Sequence, residues 1–252
     1  MNNKMPVTGT DNSKSLQQPK ALESKIYLTK YKEIFIQLGL TPRENDPKVI
    51  QDLVLKFMND HNIPTEKQEM IGNYENNKLS FLLIKPEAEG LELQAKQFLE
   101  NKGLEVIDVV KTSYTLERFL GVYGPDILEY PEIAKILHPL LVANLSKGVS
   151  IILYKVPKSK TVMSIKSDIV GTGKNSNEHT LRGYLKEKIS ESNFHNLEYF
   201  KKRIDPQGNI TDLDRTFNGV HSPSSIENAN YQLGLFFDKK QYEEYKYNTI
   251  NL

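Results

Sequence analysis

The most constraining stretch of this chain is the short apolar run Leu79-Ser80-Phe81-Leu82-Leu83-Ile84, stopped at once by Lys85-Pro86. An apolar run of this length reads as a buried strand, and the proline after it lacks the backbone donor needed to continue a ladder. A strand of that kind needs neighbours in a sheet, and the segments after it supply them. Leu91, Ala95, Phe98 and Leu99 share one helical face that ends at Gly103, and Val106, Ile107, Val109 and Val110 read as a second strand. Helical stretches near 115–123 and 131–145 precede a third strand, Val149 to Val156. A short helix around 161–169, the loop Gly171 to Asn177 and a short strand, Asn218 to His221, come next. Ser224 or Ser225 then caps a helix carrying Ile226, Ala229, Leu233 and Phe236. Strands alternating with helices in this order predict an α/β sandwich, with one helix layer packed on a sheet.

Ahead of this unit the chain changes character. Residues 1–22 are polar and carry too little apolar surface to offset the entropy of ordering, so they read as a disordered tail. Residues 23–75 read as a helical extension. Leu28, Tyr31, Ile34, Phe35 and Leu38 recur at helical spacing. A second helix starts at Asp46-Pro47, a cap followed by proline at the first helical position, and carries Val49, Ile50, Leu53, Val54, Phe57 and Met58. Residues 76–252 form the main domain, with 184–217 as a polar insertion. The two apolar helix faces of the extension are expected to pack on that domain or on a second subunit.

Composition removes several classes of function. With no cysteine in the chain, disulfide scaffolds, iron–sulfur clusters and thiol nucleophiles are excluded. Lys and Arg total 33 against 32 Asp and Glu, a balance that argues against a general nucleic-acid or polybasic membrane binder. No apolar run approaches the ~18–20 residues needed to cross a bilayer. The N-terminus has no apolar stretch of the secretory kind. The expectation is a soluble, cytoplasmic protein without membrane or specific nucleic-acid partners.

The residues that carry chemistry lie at element ends. Lys85 closes the first strand, Arg182 lies in His179-Thr180-Leu181-Arg182-Gly183, and His221 ends Asn218-Gly219-Val220-His221. Ser222-Pro223-Ser224-Ser225 then leads into the last long helix, whose free N–H groups favour an anion. A histidine facing a helix start, with lysine and arginine at hand, suits phosphoryl transfer. Cationic groups would hold the phosphate oxygens, and neutral imidazole would be the nucleophile.

The order and spacing of these pieces resemble the nucleoside diphosphate kinase family from about Lys78 to Phe237. The similar segments are Ser80 to Glu87, Phe98 to Val106, Leu140 to Val149, Thr180-Leu181-Arg182-Gly183 and Asn218 to Ser225. The resemblance implies a ferredoxin-like α/β sandwich with an antiparallel sheet. It also implies ping-pong transfer of the γ-phosphate of a nucleoside triphosphate to a nucleoside diphosphate through phospho-His221. Lys85 would then contact ribose and phosphates, Arg182 phosphate oxygens, and Asn218 the ribose hydroxyl. Ser167 would fall at a phosphate-binding position, and Leu137 or His138 where an aromatic ring stacks on the base. Tyr130 is the nearest candidate for a tyrosine that reaches the terminal phosphate. A magnesium ion, Mg2+, would bridge the phosphates with few protein ligands. A homo-oligomer is expected on the same grounds.

The chain departs from the family pattern at three positions. Pro223 stands near the nucleophile where a serine is usual. Gln232 falls where a glutamate usually holds the imidazole, and would accept from Nδ1–H. Thr161 falls where an arginine usually binds phosphate, with Lys158 or Lys160 as possible substitutes. These departures support an alternative expectation, a catalytically weak or inactive nucleotide-binding regulatory module.

Overall fold

The computed structural model describes residues 36–40, 46–66, 78–135, 148–172, 176–189 and 218–250. Four strands are present: β1 (Leu79–Ile84), β2 (Glu105–Thr112), β3 (Val149–Lys155) and β4 (Val220–His221). They form one sheet in the order β2-β3-β1-β4, and every neighbouring pair is antiparallel. This is the ferredoxin-like arrangement, with β1 and β3 at the centre. Leu82 faces Ile152 across the central pair, and Leu83 faces His221 across β1 and β4.

Eight helices are described: α1 (Pro47–Asp60), α2 (Glu92–Asn101), α3 (Leu116–Glu129), α4 (Pro131–Lys135), α5 (Val162–Ile165), α6 (Leu181–Lys188), α7 (Ile226–Phe236) and α8 (Lys239–Ile250). They cover both faces of the sheet, not the single face expected from the order of elements. All six residues of β1 are buried, which requires cover on both sides. Phe81 and Leu83 join a core with Phe119 and Leu120 of α3, Leu233 and Phe236 of α7, and Ile50 and Val54 of α1. Leu82 and Ile84 face the other way, onto Ala95 and Leu99 of α2, Ile165 of α5, and Leu181 and Leu185 of α6.

Helix α1 begins as its sequence predicts, with the Asp46 side chain accepting from the Lys48 N–H at 2.9 Å. Its buried face of Ile50, Val54 and Met58 belongs to the core that α3 also lines. Gln51 ties the helices together, its side-chain amide donating to the carbonyls of Ile127 and Leu128 at 3.0 Å each.

Helix α3 runs past the expected stop near 123 and through Gly124-Pro125 to Glu129. Tertiary packing overrides propensity here. Gly124 and Pro125 are both buried, and a Cβ at Gly124 would crowd the tip of Met58. The absence of that Cβ lets α1 approach closely.

Between α5 and α6 the chain widens into one π-helical turn, Lys166–Val170, and leaves it at Gly171 with φ of +87°. A side chain at Gly171 would be strained and would strike Thr180, so glycine is required for this reversal. No helix of the described residues is long and apolar enough to cross a membrane.

Candidate functional site

The site gathers at one end of β1 and β4. Lys85 follows β1, and its backbone N–H donates to the Gly219 carbonyl at 2.9 Å, extending the pairing with β4 by one step. Its side chain is buried, and Nζ donates to Asn218 Oδ1 at 3.2 Å. Glu87, in the 3-10 turn Pro86–Ala88, is also buried and accepts from the Gly219 N–H at 3.1 Å. Burial moves the two titrations in opposite directions. Lys85 is pulled from 10.5 to about 8, chiefly by desolvation, with Glu87 opposing and Arg182 adding to the shift. Glu87 is pushed up by desolvation against the charge of Lys85.

Arg182 reaches the site from the first turn of α6. Thr180 caps that helix, its hydroxyl accepting from the Gly183 N–H, and so sets the direction in which Arg182 leaves it. The guanidinium donates through Nη1 to the Gly171 carbonyl at 2.7 Å and through Nη2 to the Val220 carbonyl at 3.2 Å. Nε is buried and has no hydrogen-bond partner. Arg182 thus straps the end of the π-helical turn to β4.

His221 lies at the end of β4 and is partly exposed. The Tyr123 ring meets it edge to face with centroids 5.2 Å apart, and Phe81 lies 6.4 Å away. Nε2 is 3.1 Å from Gln232 Oε1. With the amide in this orientation the oxygen only accepts, so the ring proton sits on Nε2 and Nδ1 carries the lone pair. Gln232 therefore does contact the imidazole, but through Nε2 and not the expected Nδ1–H. The imidazole titrates well below its ordinary 6.5, first because burial disfavours the cation, then because of the charge of Lys166. The Gln232 bond opposes these, and Lys85 and Arg182 add smaller depressions. The ring is neutral at physiological pH.

Of the residues singled out from sequence, Lys85, Arg182, Asn218, His221 and Gln232 come together. Ser167 is on the π-helical turn, where its hydroxyl is engaged by the Ser164 carbonyl at 3.2 Å and by Asp168. Leu137 and His138 lie outside the described residues. Tyr130 caps the C-terminal end of α3 and is 40% exposed. The tyrosine against the imidazole is Tyr123, two turns earlier on the same helix. Its hydroxyl is buried without a hydrogen-bond partner, and its titration is pushed far up by burial and by Glu87. Pro223 is buried beside Ser222, whose hydroxyl is 3.4 Å from the Pro223 carbonyl.

Sequence reasoning missed Tyr123 and Lys166. Tyr123 was hidden because α3 was expected to end at that residue. Lys166 was hidden because a widened turn changes which residues face inward, and no spacing rule announces it. Thr161 caps α5, Lys158 lies in the turn after β3 and Lys160 follows that turn, and in this segment it is Lys166 whose charge acts on His221.

No family model and no curated protein sequence matches the chain. Similar solved structures include a nucleoside diphosphate kinase family protein from Babesia bovis, at 20% identity and a TM-score of 0.43, covering 65% of this chain and 90% of that one. An NDP kinase from Pyrobaculum aerophilum is similar at 18% identity and a TM-score of 0.42, covering 65% of this chain and 97% of that one. Both are distant likenesses of fold.

Proposed function

We propose that this protein is a phosphotransferase that moves the γ-phosphate of a nucleoside triphosphate to a nucleoside diphosphate through His221. The observation that carries the reading is a partly exposed imidazole held through Nε2 by Gln232 Oε1, its titration lowered by burial and by the charges of Lys166, Lys85 and Arg182. The Nδ1 lone pair attacks the γ-phosphorus and forms a P–N bond. The P–O bond to the β-phosphate breaks, and its electron pair leaves with the diphosphate. A second diphosphate reverses these steps. The three cations lower the cost of negative charge on the transferring group. Asn218, already bonded to Lys85, would hold a ribose hydroxyl.

A magnesium ion would enter with the nucleotide and would offset the charge of its phosphates. Among the described residues no group of three or more His, Asp or Glu gathers to hold a metal. The test is incubation with γ-labelled ATP and Mg2+. Acid-labile, alkali-stable label is expected on the protein, absent in His221→Ala and discharged by added diphosphate. A wild-type protein without label refutes the reading.

A second reading, a nucleotide-binding module with little turnover, draws on Arg182. Two of its three nitrogens are committed to backbone carbonyls, and Pro223 removes a backbone donor near the nucleophile. Saturable nucleotide binding by calorimetry, without phosphoryl exchange, is its signature. An assembly of like subunits belongs to either reading, and solution mass decides it.

A further inference from the structure

Gln232 is 1% exposed and sits on α7, whose register is set by Ser225 accepting from the Asn228 N–H at 3.1 Å. On the same helix Ala229, Leu233 and Phe236 are packed in the interior, and Gln232 is the residue that bonds the imidazole. Among the described residues, the charges that act on the His221 ring are Lys166 from the π-helical turn, Lys85 from the end of β1 and Arg182 from α6. All three are cations. Tyr123 of α3 presents an aromatic ring, and Glu87 acts on Lys85 and Tyr123. Among the described residues the group bonded to the ring is thus a neutral amide in a cationic surround.

An amide and a carboxylate do different things to a phosphorylated imidazole. When Nδ1 takes the phosphoryl group, the ring becomes an imidazolium that still carries its proton on Nε2. From that form the P–N bond breaks readily, because the ring leaves as neutral imidazole. If the Nε2 proton passes to solvent water, the neutral phosphoimidazole remains. Its ring would have to leave as an anion, so its P–N bond is slow to break. A carboxylate on Nε2 only accepts, so it holds the proton in place and favours the labile form. A carboxamide has both functions. Its oxygen accepts from Nε2–H before transfer, and after half a turn its NH2 donates to the deprotonated Nε2. The surrounding cations favour proton loss in the same direction.

We propose that Gln232 is a positioning residue that makes phospho-His221 long-lived, so that the protein holds a phosphoryl group in the absence of a diphosphate acceptor. This rests on the phosphoryl-transfer reading of the same site. The consequence is a stored phosphoryl group that outlasts departure of the donor diphosphate and waits for a scarce nucleoside diphosphate.

The test uses the full-length protein, Gln232→Glu and Gln232→Met. Each is phosphorylated with phosphoramidate, a chemical donor that needs no nucleotide binding, and in parallel with γ-labelled ATP. Decay of the Nδ1-phosphohistidine signal is followed by ³¹P NMR as a function of pH, with thermal melts of each variant. A neighbouring carboxylate favours the charged form of a ring by about one unit or more. Decay in Gln232→Glu is therefore expected to be about tenfold faster or more at neutral pH, with its pH profile displaced to higher pH. Gln232→Met, which neither donates nor accepts well, is expected between the two. A merely structural role would move the melting temperatures of both variants and leave the decay rates alike. Equal or slower decay in Gln232→Glu overturns the proposal, as does failure of phosphoramidate to label wild type. Labelling by phosphoramidate but not by ATP overturns the phosphoryl-transfer reading alone, because the lifetime comparison still stands or falls by itself.

Discussion

At the scale of single residues, the site is defined by groups whose charge states are set by burial. The unfolded chain binds a proton on an ordinary imidazole near 6.5, whereas folded His221 binds it only well below that. Between those values the unfolded state holds more protons, so His221 lowers stability as pH falls through that window. Its ring C–H resonances should stay unshifted through pH 6.5 and move only in more acidic solution. A titration midpoint at the ordinary value would contradict the burial of the ring beside these cations. Lys85 behaves in the same sense at the other end of the scale. It titrates near 8 in the fold and near 10.5 when unfolded, so its contribution to stability rises with pH across that interval. Its charge is lost above about 8, and labelling by ATP should weaken there. Lys85→Met should remove that alkaline decline, and an unchanged decline in the variant would assign it to another group.

At the scale of elements, the site depends on how two helices begin and on where two others meet. Gly183 follows Arg182 in the first turn of α6, and a Cβ there would fall on the Asn177 carbonyl oxygen. That oxygen also accepts from the Thr180 hydroxyl at 2.8 Å, so the cap and the backbone would have to move together. Gly183→Ala is expected to cost about 1–3 kcal/mol, measured by denaturant unfolding, and to displace Arg182. A neutral result would mean that the 176–180 segment yields freely. On the opposite face, Ile50 of α1 is fully buried in the core shared with α3. Ile50→Ala should lose about 2–5 kcal/mol. A loss close to zero would mean that α1 is not packed there in solution. Removal of residues 1–70 should lower the melting temperature by stripping cover from α3, while leaving Lys85, Arg182 and His221 in the chain.

At the scale of the whole molecule, the strands were legible because their residue types leave few alternatives. β1 is apolar at every position but Ser80 and is followed by Lys-Pro, and β3 follows a glycine and carries the apolar run Ile151-Ile152-Leu153. The two-sided cover was latent in the same pattern, since six consecutive buried positions leave no face for water. The places of Lys85, Arg182 and His221 at element ends were legible. Tyr123 and Lys166 were not, because each depends on a local geometry that propensity opposes: a helix carried through Gly-Pro, and a helix widened by one residue. The contact of Gln232 with His221 was anticipated, but the ring nitrogen was not, since it depends on how β4 and α7 meet in space.

His221 is proposed to accept a phosphoryl group on Nδ1. The most direct measurement is ³¹P NMR of the intact protein after incubation with ATP and Mg2+, with His221→Ala alongside. An Nδ1-phosphohistidine resonance is expected in wild type, absent from the variant and lost on addition of a nucleoside diphosphate as the triphosphate appears. A wild-type spectrum without that resonance, or one that His221→Ala retains, would contradict it.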